Sequence, residues 1–239
     1  MPDPTTDPAA LMAFVIGLQD SQGSPRRQLT WRVGDALRAV IEQLVSTTAS
    51  DEELTRVAEK LETIEAVLSE YPHGRSYEGV SEASTRTQPS RRSATPNEST
   101  DHSDFSPIMG QANPLAPPLR LGYHNGVVTG EVICGSAYEG PPGHVHGGII
   151  AALFDELLGA TQVLSGTPGM TGKLEINYRA PVPLHSPLRF TGRLVTVEGR
   201  KIFTEGTLHA GETLCAEATG LFISIDFEKL ARMVAERDG

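Results

Sequence analysis

The sequence predicts an α+β fold: an antiparallel sheet wrapped around a central helix, preceded by a helical hairpin and a disordered linker. Three observations carry this reading. Residues 9–71 repeat their apolar side chains at helical steps, and residues 72–105 hold almost none. From Pro107 onward, strand-like alternation is interrupted by a single apolar helical run at residues 149–158. One apolar helix among strands buries its surface best against one face of a sheet. The expected divisions are a helical segment at 1–71, a linker at 72–105 and the sheet-and-helix domain at 106–239.

In the first zone, Val33, Leu37, Val40, Ile41, Leu44 and Val45 recur at helical steps. Leu54, Val57, Leu61, Ile64 and Leu68 form a second stripe. Ser50 followed three residues later by Glu53 is a capping-box signature for the second helix. Each stripe needs a partner surface to cover it. The apolar run at residues 11–18 falls far short of the ~20 residues that span a bilayer. Acidic rather than basic residues precede it, so neither a membrane span nor a signal peptide is expected. The linker is rich in Ser, Thr, Glu, Arg and Pro. Such a segment cannot offset its ordering entropy.

In the third zone, residues 119–123 and 127–133 flank His124-Asn125-Gly126. Asn-Gly between two strand-like runs signals a hairpin. A helix is expected from His146-Gly147-Gly148 to Leu164. Strands are expected at 172–178, 188–197, 201–208 and 214–225, with Glu198-Gly199 as the turn between the middle two. Residues 227–237 have a helical period.

Composition narrows the function. The net charge is −10, and residues 1–105 hold 10 basic and 17 acidic side chains. A nucleic-acid arm needs the opposite balance to displace counterions from phosphates. The cysteines, Cys134 and Cys215, form no CxxC and no disulfide framework, so a reducing, cytoplasmic setting is expected. His144 and His146 form an HxH pair near Glu156, but no third metal ligand stands with them, and no metal is expected. No GxGxxG or P-loop is present.

The chemistry-bearing stretch runs GPPGHVHGGIIAALFDELLG over residues 140–159. Free amides at a helix N-terminus carry partial positive charge. Without side chains at Gly147 and Gly148, a ligand oxygen can approach those amides, as an oxyanion hole requires. The same glycines also suit a helix that starts close to a sheet. Further along, Asp155-Glu156 interrupts an apolar helix that should be buried, and burial raises a carboxylate pKa. The two carboxylates point about 100° apart, so only one faces a given pocket.

This stretch resembles the HGG-x(6)-D helix of hotdog-fold acyl-CoA thioesterases of the phenylacetate-pathway type. The similarity is to the branch that includes the carboxyl-terminal modulator protein. It continues through Met170-Thr171, Asn177-Tyr178-Arg179, Val197-Glu198-Gly199-Arg200-Lys201 and Ala216-Glu217-Ala218. The resemblance implies a hotdog fold and thioester hydrolysis. Asp155 would be nucleophile or general base, and the Gly147 amide would hold the thioester oxygen. His146 and Gly148 would line the site, and Thr171 would position water or the carboxylate. Asn177, Arg179, Arg200 and Lys201 would meet the phosphates or pantetheine of coenzyme A, though basic residues at strand ends are also commonly just solvated. Coenzyme A would be part of the substrate, with no further cofactor. Some relatives place Asn or Gln six residues before the HGG histidine; here that residue is Gly140.

Spacing adds an independent point. His146 and Asp155 are nine residues apart, about 13 Å of helix rise. One thioester carbonyl cannot meet both ends of one helix. A catalytic reading therefore requires two subunits related by a two-fold axis, as a homodimer or dimer of dimers. The competing expectation is a non-catalytic acyl-CoA sensor whose N-terminal helices are a protein-interaction module.

Overall fold

The computed structural model describes Met12 and residues 24–71, 104–167 and 169–225. The expected linker disorder falls outside those residues at 72–103, whereas Asp104 and Phe105 at its end are ordered, with Asp104 buried. The helical period at 227–237 also falls outside, as does the 11–18 run apart from Met12, which lies in the core.

Two helices with described ends precede the sheet. Helix α1, Pro25–Leu44, starts behind Ser24, whose hydroxyl accepts from the Arg27 amide at 3.3 Å. Pro25 sits in the first turn, where its missing N–H costs nothing. Helix α2, Asp51–Ser69, starts with the expected Ser50/Glu53 capping box. Asp51, Glu52 and Glu53 add negative charge at the positive end of its dipole.

Six antiparallel strands follow: β1 Arg120–His124, β2 Val127–Ile133, β3 Gly169–Tyr178, β4 Pro187–Glu198, β5 Lys201–Ala210 and β6 Thr213–Ser224. They form one sheet in the order β1-β2-β4-β5-β6-β3. Asn125 (φ 49°) and Gly126 (φ 79°) both lie in the left-handed region, as the hairpin turn requires. Helix α3, Gly147–Gln162, crosses one face of the sheet. Its stripe of Ile150, Leu153, Phe154, Leu157, Leu158 and Thr161 is buried there. Phe154 meets Phe190 edge-on with centroids 5.1 Å apart. The strands present Gly130 and Gly220 under the helix, where a Cβ would press on Leu157 and Leu158 at 3.2 and 3.3 Å. This is the hotdog arrangement expected. By length and composition the run Gly147–Ser165 could cross a membrane, but half of that window is buried inside its own chain, as in a core helix.

The docking of α1 departs from its apolar stripe. Val33, Val40 and Leu44 are exposed. The face that meets the domain is polar instead. Arg27 forms a bidentate pair with Asp104 at 2.7 and 2.8 Å, both residues buried. Gly34 lies so close to Gln111 and Ala112 that a Cβ would stand 2.7 Å from a backbone oxygen. Arg38 donates to the carbonyls of Gln111, Asn113 and Ala116. Glu42 accepts from the Ser136 and Ala137 amides at 2.8 and 3.1 Å. Helix α2 has no buried residue and packs closely on no other named element.

Candidate active site

The start of α3 and the edge strand β3 build the site. His146 caps the helix with extended backbone (φ −61°, ψ 134°), and its Nδ1 accepts from the Gly148 amide at 2.9 Å. That contact requires an unprotonated Nδ1. It also engages one of the two glycine amides that the sequence left open. Among the described residues nothing accepts from the Gly147 amide, so this is the donor available to a ligand. The Gly147 carbonyl is held by Tyr178 Oη at 2.8 Å. Behind the cap, the His146 amide donates to the Tyr138 carbonyl and the Val145 amide to Val182. A Cβ at Gly140 would stand 2.7 Å from the His146 Cα. The Asn or Gln of some relatives has no room there along this backbone path.

Asp155 lies eight residues beyond Gly147, about 12 Å along the axis. Contrary to the expectation of a buried pair, Asp155 is exposed in the single chain. Thr171 Oγ1 donates to Asp155 Oδ1 at 2.8 Å. Thr171 sits on β3 where the register with β6 shifts between Thr171 and Lys173. A bulge of this kind re-aims a side chain. Glu156 points elsewhere and is half-buried. Burial, and then the neighbouring Asp155, push its carboxyl up to about 7.

The structure thus brings together two groups: Asp155 with Thr171, and His146 with Gly147, Gly148 and Tyr178. It keeps the groups expected at coenzyme A apart from both within one chain. Strand alternation turns Leu174, Ile176 and Tyr178 towards α3 and Asn177 to the other face of the sheet. There Asn177 lines a depression with Arg193, Glu205 and Glu217. Arg179 donates to Glu217 at 2.7 Å. Arg200 donates to the Ser224 carbonyl, and Lys201 is exposed at the start of β5. Sequence reasoning missed Tyr178. The signal was its two-residue spacing from Ile176, which puts it on the helix side of β3. Among the described residues no three His, Cys, Asp or Glu side chains converge to hold a metal ion. Both cysteines are free and buried, and burial pushes the Cys134 thiol up to about 12.

Comparisons with known proteins meet this geometry. Residues 142–217 match the thioesterase superfamily. Acyl-coenzyme A thioesterase THEM4 of Mus musculus is 42% identical over 93 residues, which are 38% of this chain and 40% of the relative. Acyl-coenzyme A thioesterase THEM5 of Homo sapiens is 32% identical over 97 residues, 40% of this chain and 39% of the relative. The chain spans about 40% of the length of these curated relatives. A crystal structure of a thioesterase superfamily protein superposes with a TM-score of 0.69 at 35% identity, covering 81% of this chain and 94% of that one. That last match reaches beyond the sheet-and-helix region and spans nearly the whole of the solved chain, so this chain belongs to the thioesterase superfamily.

Proposed function

We propose that the chain is an acyl-CoA thioesterase, hydrolysing a fatty or other acyl-CoA to the free acid and coenzyme A in the cytoplasm. The observation that carries this is the bond from Thr171 to an exposed Asp155. It orients one carboxylate oxygen and leaves the other open to water or substrate. The second component is the unpartnered Gly147 amide at the positive end of α3.

The reaction needs a nucleophile at the carbonyl carbon and a donor at the carbonyl oxygen. With Asp155 as general base, its carboxylate takes a proton from water while the water oxygen bonds to carbon. The carbonyl oxygen becomes negative and accepts from the Gly147 amide. Collapse re-forms the C=O bond and breaks C–S, and the departing thiolate takes the proton from Asp155. With Asp155 as nucleophile, the carboxylate bonds to carbon and the C–S bond breaks, releasing the thiolate. Water then adds to the resulting anhydride, freeing the acid and the Asp155 carboxylate while its second proton goes to the thiolate. No cofactor takes part, since coenzyme A belongs to the substrate.

Gly147 and Asp155 of one helix are too far apart for one carbonyl. The working site therefore pairs Asp155 of one protomer with the Gly147 amide of its partner, in a homodimer or dimer of dimers. Asn177, Arg179, Arg200 and Lys201 supply polar and cationic groups for the phosphates and pantetheine, reached across subunits. A thiol-release assay over a series of acyl-CoA chain lengths tests the reading. Wild type is expected to release thiol, and Asp155→Asn to lose at least about a hundredfold in kcat as general-base removal does, with its oligomeric state intact. Unchanged turnover in Asp155→Asn removes Asp155 from the mechanism. Saturable binding without thiol release favours an acyl-CoA sensor.

A further inference from the structure

Helix α2 carries an apolar stripe that the rest of the described chain leaves open. None of its residues is buried, and it packs closely on no other named element. Val57, Ile64 and Leu68 are exposed, and Leu54 and Leu61 are only half-buried. An isolated helix of this length is marginal in water, and its stability comes from covering such a stripe.

The spacing of the stripe specifies what covers it. The five residues follow one another at steps of 3, 4, 3 and 4. That is the a/d seam of a coiled coil, narrower than the face a helix packs against a sheet. Leu54, Leu61 and Leu68 take the a positions, and Val57 and Ile64 take the d positions. Lys60 then stands at g and Glu65 at e, on either side of the seam. In parallel strands in register, each g position faces the next e position of the other strand. Lys60 therefore meets Glu65 of the partner subunit, once on each side.

Nothing on its own chain competes for Lys60. Its helical neighbours are Arg56, Val57, Thr63 and Ile64, none of them acidic. Among the described residues it has no ion-pair partner. The antiparallel registers that overlap most of the stripe set Lys60 against Val67 or Lys60 of the partner subunit, which leaves its charge unmatched. The exposed stripe of α1 is no better matched. Its flanking positions Gly34, Ala36, Ile41 and Gln43 offer Lys60 no acid. A Cβ at Gly34 would stand 2.7 Å from the Gln111 backbone oxygen, so that flank is already occupied.

We propose that α2 is an assembly helix, packing in parallel and in register against α2 of a second copy of this chain. The proposal does not depend on the thioesterase reading. Leu at a with β-branched residues at d also suits more than two strands, so helices from two catalytic dimers can share one bundle.

Disulfide trapping in the full chain tests this. Both native cysteines are buried, so a new thiol on α2 reports alone. Under mild oxidation Leu61→Cys and Leu54→Cys, each at an a position, are expected to link chain to chain. Their rate should exceed that of Glu59→Cys, on the outward face, by about tenfold or more, because pairing raises the local thiol concentration. Lys60→Glu added to Leu61→Cys is expected to slow trapping severalfold. Adding Glu65→Lys to that variant should restore it, since the exchanged charges attract again. Equal rates at the a positions and at Glu59→Cys overturn the proposal. So does preferential mixed linkage between Leu61→Cys and Ile64→Cys chains, which marks antiparallel strands. Faster trapping within Val40→Cys/Leu61→Cys than between Leu61→Cys chains overturns it too, because α1 then covers the stripe. Charge reversal at Lys60 without effect removes the parallel register.

Discussion

Thr171 donates its hydroxyl to Oδ1 of Asp155 and so fixes a side chain that is otherwise free to rotate at the surface. In Thr171→Ala the carboxylate stays but its orientation is lost. The expected result is a fall of about tenfold in kcat, the size of one net hydrogen bond, with KM little changed and with rescue by Thr171→Ser. Glu156 beside it gives a pH signature. Its folded pKa of about 7 lies above the ordinary 4.5, so between those values the folded chain holds a proton that the unfolded chain has released. Stability from this group is therefore greatest below 4.5, falls as pH rises towards 7 and stays low above it. Glu156→Gln removes that slope. Thermal unfolding at about pH 5 and about pH 8 should show the variant gaining on wild type only at the higher pH, by on the order of 2 kcal/mol.

At the scale of elements, α1 is attached by charge and backbone contacts rather than by its apolar stripe. Arg27 and Asp104 are both buried, so removing Arg27 leaves the Asp104 carboxylate without its bidentate partner. Arg27→Ala is expected to destabilise the chain by about 3–5 kcal/mol, read from denaturant unfolding, whereas substitution of the exposed Val33 stays within about 0.5 kcal/mol. Glu42 anchors the same helix to the turn that leads to His146. Burial raises its pKa, but the Ser136 and Ala137 amides outweigh that and hold it below the ordinary value. Its contribution is accordingly present near neutrality and lost in acid. None of this was legible in the sequence, because Arg27, Arg38 and Glu42 on a helix read as a solvated face and the stripe beside them as the buried one. The turn at Asn125-Gly126 and the apolar run of α3 were legible, since few backbone paths accept those residues. Strand ends shifted by one to three residues because ladder pairing, not composition, sets where a strand stops. The site was legible in part. Asp155 and the HGG turn stand in one stretch, but Tyr178 reaches the Gly147 carbonyl from 31 residues away, a contact only the folded strand creates.

For the whole molecule, the decisive feature is that the two halves of the site share β3. Thr171 near one end of this strand holds Asp155, and Tyr178 at the other end holds the Gly147 carbonyl. Strand β3 is an edge of the sheet, paired with β6 on one side only. Ten residues of edge backbone offer a partner chain a full ladder. Antiparallel pairing of β3 with a second β3 about a two-fold axis would bring each Thr171 end towards the other Tyr178 end. Each Asp155 would then approach the partner's Gly147, and the site incomplete in one chain would close twice in two. Gly147→Pro tests this with little structural cost. Gly147 is the first residue of α3, where proline is tolerated, and the extended backbone of His146 suits a following proline. The substitution puts the proline ring in place of the amide hydrogen, and its Cβ meets Tyr178 Oη at an ordinary 3.4 Å. Alone, it should lower kcat by about 10²–10³, the effect of losing one oxyanion donor, and Asp155→Asn should be equally silent. Mixed and allowed to exchange subunits, the two inactive variants should recover about one quarter of wild-type activity: half of the dimers are mixed, and each mixed dimer holds one intact site of two. Exchange confirmed by mass spectrometry with no recovery would place Asp155 and the Gly147 amide in separate sites.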